Sequence, residues 1–123
     1  MIELAQQHCS AVTATTPRLH EREINPYLAD LSEWEIYEKE GEPRLEKTFK
    51  FKDFIQAMAF TNRVAQVANE EDHHPAILTE WGKVTVTWWT HKIRGLHRND
   101  FIMAAKTDQL FGKGTGAAAK RLS

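Results

Sequence analysis

With one cysteine, Cys9, among 123 residues, the chain has no means of forming an internal disulfide or a multi-cysteine zinc site. Cys9 lies near the N-terminus without an evident activating base, and it reads as inert. Charge of one sign is also missing: 16 Lys and Arg face 17 Asp and Glu, for a net charge of −1. No general positive field exists to draw in a phosphate backbone, so a nucleic-acid partner is not expected. Long apolar runs are absent, and MIELAQQHCS has acid and amides where a secretion signal needs basic residues and an apolar stretch. A membrane partner is therefore not expected and a cytoplasmic location is. What the chain does have, 41% hydrophobic and 27% charged residues, suffices for one core without covalent or metal staples.

Organisation follows from periodicity. Residues 1–18 show no sustained apolar period and read as a loosely held N-terminal arm to which no chemistry is assigned; residues 19–111 form a single domain. Asn25-Pro26 reads as a cap and first helical residue, predicting a short helix over roughly 26–31. Trp34 and Ile36 alternate with polar residues, Glu40-Gly41-Glu42-Pro43 supplies a turn, and Leu45, Lys47, Phe49 and Phe51 share one face of a second strand. From Asp53 to Asn69 the period becomes helical, with Phe54, Ile55, Met58, Val64, Ala65 and Ala68 on a broad stripe widened by Phe60 and Val67. Asp53 favours the start as a cap or as a first-turn anion. Residues 76–79 and 83–90 predict a second hairpin across Glu80-Trp81-Gly82, with Val84, Val86 and Trp88 on one face and His91 at the strand's end. A last helix over 98–111 turns Phe101, Ala104, Ala105 and Leu110 inward, and residues 112–123 read as a flexible tail. The tail's Gly112-Lys113-Gly114-Thr115-Gly116 lacks the spacing of a phosphate loop.

Titratable side chains gather at element ends: Glu70-Glu71-Asp72-His73-His74-Pro75 after one helix, His91 after a strand, and Asp100 at the start of another helix. A metal site would need His73 and His74 to converge with His91 or Asp72, which adjacent residues do poorly. No nucleophile elbow or activated thiol is present. General acid and base chemistry remains, because imidazoles titrate near neutral pH. An adjacent His-His pair is also an ordinary surface or capping feature. Trp34 and Trp81 either wall a pocket or fill the core, with core packing favoured.

The ordered series His73-His74-Pro75, Trp81, Thr90-His91, Gly95-Leu96 and Asp100 resembles the pterin-4a-carbinolamine dehydratase family, over about Leu19 to Leu110. The resemblance implies an α+β fold in the order α-β-β-α-β-β-α, a four-stranded antiparallel sheet with helices packed on one face, assembled as a homodimer or homotetramer. It implies dehydration of a 4a-hydroxytetrahydropterin to quinonoid dihydropterin, recycling pterin for an aromatic amino-acid hydroxylase, with no metal or organic cofactor. His73, His74 and His91 match the family's active-site histidines; Pro75, Thr90 and Asp100 match residues in or beside the pterin pocket. On this footing His73 and His91 are the acid/base pair and His74 orients the pterin, with the protons not assigned between them. Asp100 either steadies and polarises His91 or serves as a first-turn anion and capping-box member, with His97 in the cap position as a structural residue. Four residues before His73, Asn69 stands where the family commonly has Glu, and Glu70 is a substitute for that carboxylate. Two alternatives accompany this reading: a non-catalytic, coactivator-like member that binds protein, and a dehydratase-like protein acting on another pterin, such as in molybdenum-cofactor metabolism.

Overall fold

The computed structural model describes residues 3–114, so residues 115–123 of the expected tail lie outside the described residues. The elements follow the anticipated order: α1 (Glu21–Leu28), β1 (Glu35–Lys39), β2 (Glu42–Lys50), α2 (Phe54–Glu71), β3 (Ala76–Glu80), β4 (Lys83–Trp88) and α3 (Arg98–Gly114). The strands form one antiparallel sheet in the order β1-β2-β4-β3, so the two hairpins join through their second strands. No helix among the described residues is long and apolar enough to cross a membrane.

Alternation along β4 sends Val84, Val86 and Trp88 to the covered face, where all three are buried. Leu45 and Phe49 of β2 stand opposite Trp88 and Val84 in register and complete the sheet side of the core. α2 answers with Ala57, Phe60, Val64 and Ala68, and α3 with Phe101, Met103, Ala104 and Phe111. Phe49, Phe51, Phe60 and Phe111 meet at centroid separations of 4.9–6.0 Å in tilted or edge-on contacts. Such rings contribute beyond the area they bury.

Local chemistry moves several boundaries. α1 starts at Glu21, five residues before the expected start, because the Glu23 carboxylate accepts from the His20 backbone N–H at 2.8 Å and two acids occupy the first turn. Pro26 is thus inside the helix, where it removes a single ladder bond. Pro43 is in β2 and not in the turn; Glu40 and Gly41, both with positive φ, make the reversal alone. On α2 the inward seam is narrower than the apolar stripe: Phe54, Ile55 and Ala65 face out, with Ile55 76% exposed. Trp34 is buried as expected, whereas Trp81 is on the β3–β4 turn and 73% exposed. β4 stops at Trp88, so His91 does not end a strand. It opens a 3-10 turn, His91–Ile93, closed by Arg94 in the left-handed region and by paired backbone bonds between Thr90 and Gly95.

The arm is not loose. Leu4–Gln6 form a 3-10 turn against α3, Lys106 Nζ donates to the Ala5 carbonyl at 2.9 Å, and Arg98 donates to Gln7 Oε1 at 3.0 Å. Nor does the last helix end at residue 111: α3 continues to Gly114.

Candidate active site

Three element ends meet around one cleft of about 450 Å³: the C-terminus of α2, the turn after β4 and the N-terminus of α3. A helix end needs a chain reversal, and Asp72 provides it in the left-handed region at φ 54°. Its N–H bonds Ala68 and Asn69 carbonyls, and the His73 N–H bonds Ala68 O at 3.1 Å, closing the last turn. This reversal buries His73, which is 9% exposed, and leaves His74 exposed. Pro75 then biases His74 toward extended backbone as the chain enters β3.

His73 lies parallel to Trp88, with centroids 5.8 Å apart and planes 8° from parallel. Its Nε2 is 2.6 Å from Asp100 Oδ1. The other carboxylate oxygen accepts from Thr90 Oγ1 at 2.8 Å and from the His97 backbone N–H at 2.9 Å. Asp100 is fully buried, and two fixed donors, the Thr90 hydroxyl and the His97 N–H, share Oδ2, an arrangement that suits an acceptor-only carboxylate whose Oδ1 takes its bond from the His73 ring. Nε2 of His73 therefore carries a proton, and Nδ1 is the nitrogen left for a ligand. The two sequence readings of Asp100 combine: it is a capping-box member, and it steadies an imidazole. That imidazole is His73, not His91.

His91 is exposed, with its ring 4.4 Å from the Trp89 ring, and Trp89 carries Arg44 over its face at 3.9 Å. His74 Nε2 is 2.9 Å from Asn69 Oδ1, so Asn69 is engaged in placing His74. Glu70 is exposed and outside the cleft; Glu71 lines it instead. Of the sequence-predicted residues, His73, His74, Thr90 and His91 line the cleft, whereas Pro75 and Asp100 do not. Among the described residues no group of three or more His, Cys, Asp or Glu is placed to hold a metal ion.

Sequence reasoning missed Cys9, Ser10, Ala11, Val12, Lys92 and Asn99 and gave Glu71 no role, although all of them line the cleft. Glu71 offered one signal, because an acid at a helix C-terminus opposes the helix dipole and calls for another partner. It has several. Burial works to raise its pKa, but the Cys9 N–H, His8 and Lys106 together hold the carboxyl below the usual range. Burial, with Glu71 and Asp100 nearby, pushes the Cys9 thiol up to about 12, in keeping with its inert reading.

Burial also lowers the pKa of His97, against the opposing pull of Asp100. Its Nδ1 accepts from the Asn99 N–H at 3.0 Å, which only an unprotonated nitrogen can do. The folded-state value is thus below the unfolded one. Stability from this cap is complete above about pH 6.5 and is lost as pH falls through the folded value. Urea denaturation at pH 7.5 and 5.5 is expected to show a smaller loss in His97→Asn, whose amide oxygen accepts the same bond without titrating. Equal losses in both proteins would refute this.

The fold and the cleft define a small α+β protein with a histidine-lined cleft between element ends. The chain belongs to the pterin-4-alpha-carbinolamine dehydratase family, which it matches over residues 17–110. A protein of Marinobacter nauticus that carries the pterin-4-alpha-carbinolamine dehydratase name provisionally is 57% identical over 111 residues, 90% of this chain and 100% of that one. A Brucella melitensis crystal structure described as a transcriptional coactivator/pterin dehydratase superposes with a TM-score of 0.69 at 35% identity, covering 76% of this chain and 98% of its own. A pterin dehydratase-like protein identified as a RuBisCO assembly factor in the alpha-carboxysome gives a TM-score of 0.54 at 28% identity, covering 63% and 87%.

Proposed function

We propose that the protein dehydrates a 4a-hydroxytetrahydropterin to the quinonoid dihydropterin by histidine acid/base catalysis in this cleft. The observation that carries the reading is the meeting of His73, His74 and His91 on one cavity, with a buried carboxylate behind His73. The reaction needs one proton delivered to the 4a-hydroxyl and one removed from N5. His91 donates to the hydroxyl; the C4a–O bond breaks and water leaves with the bonding pair. The N5 lone pair closes the C4a=N5 double bond, and His73 Nδ1 accepts the N5 proton. Asp100 steadies the imidazolium so formed. Proton exchange with solvent resets both rings, which is direct for the exposed His91. His74, held by Asn69, orients the pterin; Thr90 lines the site, and Pro75 acts from outside the cleft by biasing His74 toward extended backbone.

A cytoplasmic location, service to an aromatic amino-acid hydroxylase and assembly as a homodimer or homotetramer belong to the same proposal. Exposed Ile55, Trp81 and Leu78 are the kind of surface that assembly would cover. The test is purified protein mixed with 4a-hydroxytetrahydropterin while quinonoid product is followed; a rate no faster than the spontaneous one defeats the reading. His91→Ala is expected to lower kcat at least tenfold, and unchanged turnover would move the acid elsewhere.

A further inference from the structure

We propose that Cys9–Val12 of the N-terminal arm form a wall of the pterin site and set which ring substituents the bound pterin carries. This rests on the reading above and goes beyond it. The arm precedes residue 17, where the family match begins, so this wall lies outside that match. Cys9, Ser10, Ala11 and Val12 nevertheless line the same cleft as the three histidines.

The arm is held by groups that look dedicated to the task. Asn99, 1% exposed, spends its side-chain amide on the Ser10 backbone: Oδ1 accepts from Ser10 N at 3.0 Å, and Nδ2 donates to Ser10 O at 2.8 Å. Glu71 accepts from Cys9 N at 2.8 Å, and Lys92 donates to Val12 O at 3.3 Å. Asn99 and Glu71 are close neighbours in sequence of Asp100 and His73, so the wall and the reacting groups share rigid supports. Imidazoles and carboxylates dominate the rest of the lining, and Ala11 and Val12 add the apolar surface that a flat bicyclic ring needs.

The sole cysteine is a built-in reporter. In the wild-type protein, saturating 7,8-dihydrobiopterin is expected to slow reaction of the Cys9 thiol with an aromatic disulfide at least tenfold. Ser10→Pro removes the N–H that Asn99 accepts from; unliganded Cys9 should then react at least tenfold faster. Ala11→Trp, at an exposed position, should raise the Kd for 7,8-dihydrobiopterin at least tenfold and that for a dihydropterin bare at C6 much less. If calorimetry shows pterin binding while Cys9 reactivity is unmoved and Ala11→Trp leaves both affinities unchanged, the wall is overturned and the catalytic reading stands. If wild-type protein neither binds a pterin nor accelerates dehydration, the functional reading falls and takes the wall with it.

Discussion

His73→Ala is expected to lower kcat by about two to four orders of magnitude, the loss typical of a positioned proton acceptor. His73 is the candidate because Asp100 engages its Nε2 and Trp88 fixes its plane, leaving Nδ1 as a base of set direction. Alanine would also strand Asp100 with one donor fewer, mixing chemistry with stability. His73→Gln separates the two, since its amide N–H can still donate to Asp100 but it cannot take up a proton. The expected result is a folded Gln variant with an unfolding midpoint near wild type and kcat as low as the Ala variant. Retained turnover in His73→Gln would show that the acceptor is another group.

The second large effect is at Asp100. Asp100→Ala leaves the Thr90 hydroxyl, the His97 N–H and the His73 ring N–H without their acceptor in a buried site. A cost of about 3–5 kcal/mol is expected, measured by urea denaturation at pH 7.5. Asp100→Asn keeps the shape and one acceptor but can set an amide N–H against the ring N–H. His73 relieves that clash by moving its proton to Nδ1, which removes the base. Asp100→Asn should therefore lose kcat by about 10²-fold or more while losing less stability than the Ala variant. A stable, fully active Asn variant would mean that tautomer control is not what the carboxylate supplies.

The sheet was legible because its hairpin strands carry a period of two, from Val84, Val86 and Trp88 to Leu45 and Phe49, and turn residues such as Gly41 separate them. α2 was legible as an element and misread as a surface. Periodicity counts apolar residues, whereas burial depends on which face meets the sheet, and Phe54 and Ile55 fall outside it. α1 was displaced because Pro26 looked like a start, while the stronger cap is the His20–Glu23 pair. In the cleft, the titratable series could be picked out by residue type. The arm could not, because Ser10 and Cys9 are held through their backbone groups by Asn99 and Glu71. Backbone pairing of that kind leaves no trace in side-chain pattern. Asp100's choice of His73 over His91 was equally hidden, since it depends on the reversal at Asp72.

Trp88 under His73 and Trp89 beside His91 place an indole against each of the two rings assigned to proton transfer. A protonated imidazole close to an indole quenches its emission. The protein's ultraviolet fluorescence is consequently expected to carry a component, from Trp88 and Trp89 among its four tryptophans, that follows the charge of both rings and lets the proposed proton movement be timed by stopped-flow optics without an added dye.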